Sequence, residues 1–265
     1  MNISLAAEPI FHIGTFPVTN TLLVAWVIIL FLIIIVLLTR KRLQEVPRGL
    51  QNLVEAVIEG ALNFIESVVG DRKQAKKFFP IVFTIFIFVL LSNWIEIIPG
   101  LGTIGIFEEH EGKKILIPFI RSSSADLNVT LAIAVVSVLS TQIFGIVAIG
   151  FFKYINKFLP FRELFKIKFG FLPVPSFFGF INFFAGCLEL IAEVAKLVSF
   201  SFRLFGNIFA GEVLLTVVSF LVPYIIPLPF LFLEIFVGFV QALVFSMLTL
   251  VFLKMAATEH EGAHS

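Results

Sequence analysis

The chain has 265 residues, 59% hydrophobic and only 14% charged, with 35 phenylalanines. That is far more apolar surface than a soluble core needs, so the class is integral membrane protein. A formal net charge of +1 gives no footprint for nucleic acid or a polyanionic partner, and the single cysteine, Cys187, excludes an internal disulfide.

Residues 1–18 are short and mixed. They show no basic region ahead of an apolar run and no Arg/Ser-rich transit pattern, so no cleavable leader is expected. Thr19 and Asn20 are helix-start residues. Thr21 to Leu38 is uncharged and long enough to cross about 30 Å of hydrocarbon, which places a first span at about 21–39. Arg40, Lys41, Arg42 and Arg48 follow at once.

Leu50 to Val69 repeats apolar residues at helical spacing, opposite Gln51, Glu55, Glu59, Asn63 and Glu66. This predicts an amphipathic surface helix at about 49–69, opened by Pro47 and closed by Gly70. Its polar face is acidic, whereas membrane-surface helices are usually basic; packing against protein, with the apolar face on the bilayer or neighbouring helices, is expected.

A second span is predicted at about 78–98, ending Ser92-Asn93-Trp94-Ile95-Glu96-Ile97-Ile98-Pro99-Gly100, and residues 100–123 read as a polar, glycine-containing loop. The third span, at about 127–152, opens Ser124-Ala125-Asp126-Leu127-Asn128, where Ser124 or Asp126 is an ordinary helix cap. A basic loop with Lys153, Lys157, Arg162, Lys166 and Lys168 leads to Pro173 and Pro175. Two long helices remain, 176–222 and about 228–257, separated by Pro223 and Pro227.

The first of these long helices contains no proline, and at 1.5 Å per residue it would be near 70 Å. It must tilt strongly, bend or project; persistent apolar character favours tilt. The fold class is therefore all-α integral membrane, with five membrane helices plus one amphipathic surface helix. It is read as a single membrane domain over 1–265, without repeats or linkers. Eight Lys and Arg in the 40–77 loop and five in 153–175, against three in 99–125, place the first two loops in the cytoplasm and the N-terminus outside.

The organising stretch is Glu189 to Glu212. Charges at bilayer depth are costly and mark interiors, wet cavities or ion paths. At about 100° per residue, Glu189, Glu193, Lys196, Arg203 and Asn207 share a stripe roughly 80° wide, and Glu212 is a lone carboxylate about 180° from Arg203. Ser199, Gly206 and Ala210 lie beside Arg203, small enough for another helix to approach closely. That face reads as a docking surface centred on a fixed positive charge. Glu234 lies on the last helix with Gly238 and Gln241 near the same face. Asn93, Glu96, Asp126 and Asn128 gather where the second and third spans meet the outer face, as interfacial caps or as a lining of a channel mouth. Glu189, Glu193 and Lys196 read either as a pairing of Glu189 or Glu193 with Lys196 or as the lining of an inner path.

Ser-Phe-Arg-Leu-Phe-Gly-Asn-Ile-Phe-Ala-Gly-Glu (201–212) resembles the signature of subunit a of F-type ATP synthases. The Asn93-to-Pro99 ending and the Ser124-Ala125-Asp126 opening resemble two further motifs of that family. The likeness covers most of the chain and is strongest at 181–261. It implies a proton-translocating stator subunit whose last two helices, slanted and paired as a hairpin, lie against the rotor c-subunit ring. Peripheral-stalk b subunits, other synthase subunits and membrane lipid are the remaining partners, in a bacterial inner membrane. Arg203 takes the position of the essential arginine that meets the rotor carboxylates and separates two half-channels. Glu212, Glu234, Asn207 and Gln241, with Asn93, Glu96, Asp126 and Asn128, fall in the outer half-channel; Glu189, Glu193 and Lys196 fall in the inner one. The family often has proline where this chain has Leu197, and varies between Glu and His where it has Glu212 and Glu234.

No phosphate loop, catalytic triad or metal-ligand cluster stands out in the sequence, so no cofactor is expected and ATP chemistry is not assigned to this chain. Of the four histidines, His12, His110, His260 and His264, the last two stand four apart and are read as a solvated tail. The rival reading is a self-contained secondary ion transporter, which would often show internal repeats and broken helices.

Overall fold

The computed structural model describes residues 7–40, 48–98, 104–110, 113–152, 154, 167–169, 172–174 and 177–258. Pro47, Lys41, Arg42, Pro99, Gly100, Lys153, Lys157, Arg162, Lys166, Pro175, His260 and His264 lie outside them. The elements are β1 (Pro9–Ile13), β2 (Phe16–Thr19), α1 (Asn20–Arg40), α2 (Leu50–Val69), α3 (Arg72–Ile95), β3 (Gly105–His110) and β4 (Lys113–Pro118). They continue with a single 3-10 turn (Ser123–Ala125), α4 (Leu127–Ile149), β5 (Ile167–Phe169), β6 (Leu172–Val174), α5 (Phe177–Leu221) and α6 (Pro227–Thr258). Five of the described helices, all but α2, are long and apolar enough to cross a membrane.

Local chemistry sets the boundaries. Asp71 caps α3 by accepting from the backbone N–H of Lys73 at 3.2 Å and Gln74 at 3.1 Å, so the helix starts at Arg72, a turn and a half before the apolar run. It ends at Ile95, which leaves Glu96 just beyond the helix instead of inside a span reaching residue 98. Gly70 takes a left-handed φ of 87° and closes α2 as expected. Gly150, at φ 90°, stops α4 at Ile149, three residues before the expected end. Asp126 is the cap of α4. Among the described residues, the mixed N-terminal stretch and the two segments expected as loops form two-stranded antiparallel hairpins: β1–β2, β3–β4 and β5–β6. The run expected as a polar loop ends in a buried stretch, Arg121 to Asp126.

The helices pack as an antiparallel bundle. Phe200, Leu204 and Ile208 of α5 meet Ile85, Val89 and Leu90 of α3, Ala134 of α4, and Ala242 and Phe245 of α6 in one apolar core. Small hydroxyl residues join helices across it: Ser137 and Thr249 at 2.8 Å, Thr130 and Ser201 at 3.2 Å. A second cluster seats Ile65 and Val69 of α2 on Phe78 and Val82 of α3 and on Leu250 and Leu253 of α6. Lys254 Nζ caps the end of α2 by donating to Val68 O at 2.9 Å. The amphipathic helix therefore packs on protein along one edge, while Leu53, Val57 and Phe64 remain exposed. α1 buries only its N-terminal half and bares an apolar face from Val27 to Leu38; a contiguous patch of that extent belongs in lipid.

α5 runs 45 residues without a break. At about 1.5 Å per residue that is about 68 Å, more than twice a hydrocarbon core of about 30 Å, so it stays within the membrane only if strongly inclined. α6 returns along it as the second arm of a hairpin, with the Phe200 and Phe245 rings 5.0 Å apart.

A buried hydrogen bond ties α1 to the bundle. Thr21 Oγ1 donates to Asp126 Oδ2 at 2.8 Å, and both residues are buried. Thr21→Val leaves that carboxylate short of a partner and is expected to destabilise the detergent-solubilised protein by about 1–3 kcal/mol. The check is the thermal unfolding midpoint, and an unchanged midpoint contradicts the tie.

Candidate functional site: a carboxyl cluster and an open arginine on α5

The start of α6, the end of α5, the end of α3 and the turn before α4 converge at one end of the bundle. Glu212 on α5 accepts there from Arg121, with Nε at 3.2 Å and Nη2 at 3.0 Å from the same oxygen, Oε2. The two side chains are 19% and 6% exposed. Glu96 Oε2 accepts the backbone N–H of Ser122 at 3.1 Å, and its carboxyl lies within electrostatic reach of Glu212, Glu234 and Arg121.

Glu234 approaches from α6, and Gly211 makes room for it: a Cβ at 211 would lie 2.6 Å from Glu234 Oε1. Gly238, one turn on, admits Asn93, whose Nδ2 donates to Gly238 O at 3.0 Å. Asn207 Nδ2 donates to Gln241 Oε1 at 2.8 Å, joining α5 to α6. Asn93 Oδ1, Ser124 Oγ, Glu234 Oε2 and Gln241 Nε2 are buried without a partner among the described residues. Such atoms in a folded protein are normally met by water, so the seam between α3, α5 and α6 is polar enough to be wet.

Arg203 stands in a different setting. Its side chain is exposed on the face of α5 that carries Phe202, Gly206 and Asn207, all exposed. Among the described residues it donates only to Ser199 Oγ, at a long 3.4 Å, and a Cβ on Gly206 would meet nothing within 4 Å. Further toward the start of α5, Lys196 Nζ pairs with Glu193 Oε1 at 2.6 Å and lies 4.5 Å from the centre of the Phe252 ring. Glu189 is half-buried one turn before. Along the helix, Glu193 and Glu212 lie about 15 Å and about 14 Å from Arg203 on opposite sides.

A protein family described as ATP synthase A chain matches residues 21–254. The chain belongs to that family. It is similar to ATP synthase subunit a of Moorella thermoacetica, 31% identical over 244 residues that make up 92% of this chain and 93% of the relative. The corresponding protein of Campylobacter concisus is 37% identical over 235 residues, 88% of each chain. That of Geobacter sulfurreducens is 33% identical, over 88% of this chain and 86% of the relative. Family membership and the apolar helices make this a multi-pass membrane subunit concerned with ATP synthesis and ion transport.

Within this family member, the structure brings Glu96, Glu212, Glu234 and Asn93 into one region, with Asn207 and Gln241 in contact beside it. Asp126 and Asn128 meet instead in the cap of α4, where Asp126 Oδ1 accepts from Asn128 N at 2.8 Å and Oδ2 is taken by Thr21. The expected pairing of Glu193 with Lys196 is present. One expectation is corrected: Glu212 is not a lone carboxylate, because the Arg121 guanidinium reaches it from the loop. Arg121 was missed because a charge outside an apolar run counts as solvated. The available signal was its place in Arg121-Ser122-Ser123-Ser124-Ala125-Asp126, where small residues leave little bulk to hold the loop away from the helices.

The contact of Asn207 with Gln241 is directly testable. Cysteines at these two positions, in a Cys187→Ala background, are expected to be joined by a short bifunctional thiol reagent. Absence of the joined product, seen by mass spectrometry, contradicts the α5–α6 register described here.

Proposed function

We propose that this chain is the proton-translocating stator subunit of an F-type ATP synthase and that it offers two offset half-channels to a rotor ring of c subunits. The observation that carries the reading is Arg203: a permanent cation on a bare helix face, with a single weak hydroxyl contact among the described residues and carboxyl groups far off on either side. Arginine keeps its proton under all accessible conditions. A rotor carboxylate passing it is held ionised by the nearby positive charge, so no proton rides past on that carboxylate.

In this reading the outer half-channel runs by Glu234 and Glu212, with Asn207, Gln241, Asn93 and Glu96 beside them and Asp126 and Asn128 at its mouth. The orphaned buried atoms of Asn93, Glu234 and Gln241 support it, since a proton path needs polar atoms that water can join. The inner half-channel uses Glu189, Glu193 and Lys196. Separations of about 14–15 Å along α5 are far beyond the roughly 3 Å reach of a direct proton transfer, so neither path crosses the membrane alone. A proton taken up on the outer side neutralises a rotor carboxylate, which then turns into lipid and gives up the proton on the inner side after nearly a full turn. Each charge moved is worth about 2.3 kcal/mol per 100 mV, which drives rotation and so ATP synthesis elsewhere in the complex.

The partners in this reading are the c ring on the Arg203 face, the b subunits of the peripheral stalk and the remaining synthase subunits. The membrane is the bacterial inner membrane, with the N-terminus outside and the C-terminus in the cytoplasm. The Lys and Arg distribution supports that orientation, and the whole chain acts as one membrane domain.

Arg203→Ala is expected to abolish proton-driven ATP synthesis in membrane vesicles while the complex still assembles. Synthesis persisting at a substantial fraction of the wild-type rate contradicts the proposal.

A further inference from the structure

The carboxyl cluster contains a charge that the mechanism above does not use. Arg121 follows β4 in what the sequence presents as an extramembrane loop, yet its side chain is 6% exposed and both Nε and Nη2 donate to Glu212 Oε2. The loop is held down on both sides of this contact. Ser122 donates its N–H to Glu96 and its hydroxyl to Ser92 O at 2.9 Å, and Ser123 reaches the Ser92 hydroxyl at 3.3 Å. Arg121 is thus carried into the cluster by a segment fastened to the end of α3.

Among the described residues, Glu212 on α5 pairs with it directly, Glu96 beyond α3 lies within electrostatic reach of Arg121, Glu212 and Glu234, and Glu234 on α6 lies within reach of Glu212. Asp126, at the start of α4, is occupied by Thr21 and Asn128. Three carboxyl groups therefore form a chain of neighbours that contains one guanidinium, which cannot neutralise itself. A buried cation of that kind demands one standing negative charge, and the geometry gives that task to Glu212. Glu234 contacts no cation among the described residues, and its Oε2 is one of the orphaned buried atoms.

We propose that Arg121 is a positioning residue for proton uptake: it keeps Glu212 ionised as its partner and so leaves Glu234 as the carboxyl that gains and passes on the travelling proton. The proton arrives on the Glu234 carboxylate and departs from the same group, while Glu212 keeps its charge against Arg121 throughout. This rests on the outer path proposed above and divides the labour between its two central carboxyl groups.

The test uses the complete synthase in proteoliposomes at fixed membrane potential, with ATP synthesis followed against the pH on the side facing the cluster. A nearby cation favours ionised carboxylates, so without it the cluster holds protons to higher pH. Arg121→Gln is expected to move the midpoint of the profile up by about one pH unit, a tenfold change in proton concentration, and Arg121→Lys to restore it. A merely structural role predicts fewer assembled complexes or a uniformly lower rate with an unmoved midpoint, and that result overturns the proposal. Should Arg121→Gln fail to assemble, Glu212→Gln is read alone: loss of a standing negative charge beside Glu234 moves the midpoint down. A midpoint left unmoved by Glu212→Gln, with Glu234→Gln still abolishing synthesis, means that Glu212 carried no standing charge and overturns the proposal. Failure of the underlying path looks different: Glu212→Gln and Glu234→Gln would both leave synthesis and its pH profile unaltered.

Discussion

A guanidinium on a bare face of a membrane helix is the constraint around which the rest is arranged. Arg203 has five N–H donors and no means of becoming neutral, and among the described residues it finds one hydroxyl at 3.4 Å. A charge at bilayer depth costs at least a few kcal/mol unless something answers it. The face of the same turns that carries Phe200, Leu204 and Ile208 is sealed against α3, α4 and α6, and among the described residues no carboxylate pairs with Arg203. Gly206 keeps the approach clear on the open side.

Arg121 and Arg203 show how packing divides similar chemistry. Arg121 is buried against a carboxylate, and such pairs give little net stability while costing about 3–5 kcal/mol if one partner is removed. That asymmetry favours a fixed charge arrangement over mere adhesion. Arg203 is the reverse case, exposed and with one long hydroxyl contact among the described residues; in the proposed mechanism it is available to a charge that comes and goes. The Glu193–Lys196 pair sits between these extremes. It is partly exposed, i to i+3 on one helix, and a pair of that kind contributes about 0.3–0.5 kcal/mol, weak enough to be exchanged for another partner.

Much of this was legible in the sequence, for stateable reasons. Apolar runs longer than a bilayer is thick gave the five spans, and period-3.6 alternation gave α2. Gly70 and Asp126 stop and start helices through local backbone chemistry that needs no tertiary knowledge. The sharing of one face by Glu234, Gly238 and Gln241 followed from helical spacing. Long-range placement did not follow. The three hairpins depend on strand pairing between segments with no strong alternation, and α3 begins at Arg72 because Asp71 caps a basic turn that hydropathy discounts. The Arg121–Glu212 pair spans 91 residues; the small residues after Arg121 let its loop sit close to the helices, but nothing local names the partner. Gly211 likewise acquires meaning only when α6 brings Glu234 against it.

The central claim is that water reaches α5 from two sides and never through. Single cysteines stepped along α5 from Glu189 to Glu212, in a Cys187→Ala background of the complete synthase, can be exposed to a membrane-impermeant thiol reagent from each side in turn. Positions around Glu212 should react from the side of the N-terminus alone, those around Glu193 from the opposite side alone, and those flanking Arg203 from neither freely. A position that reacts from both sides would mean one continuous aqueous path and would contradict the account.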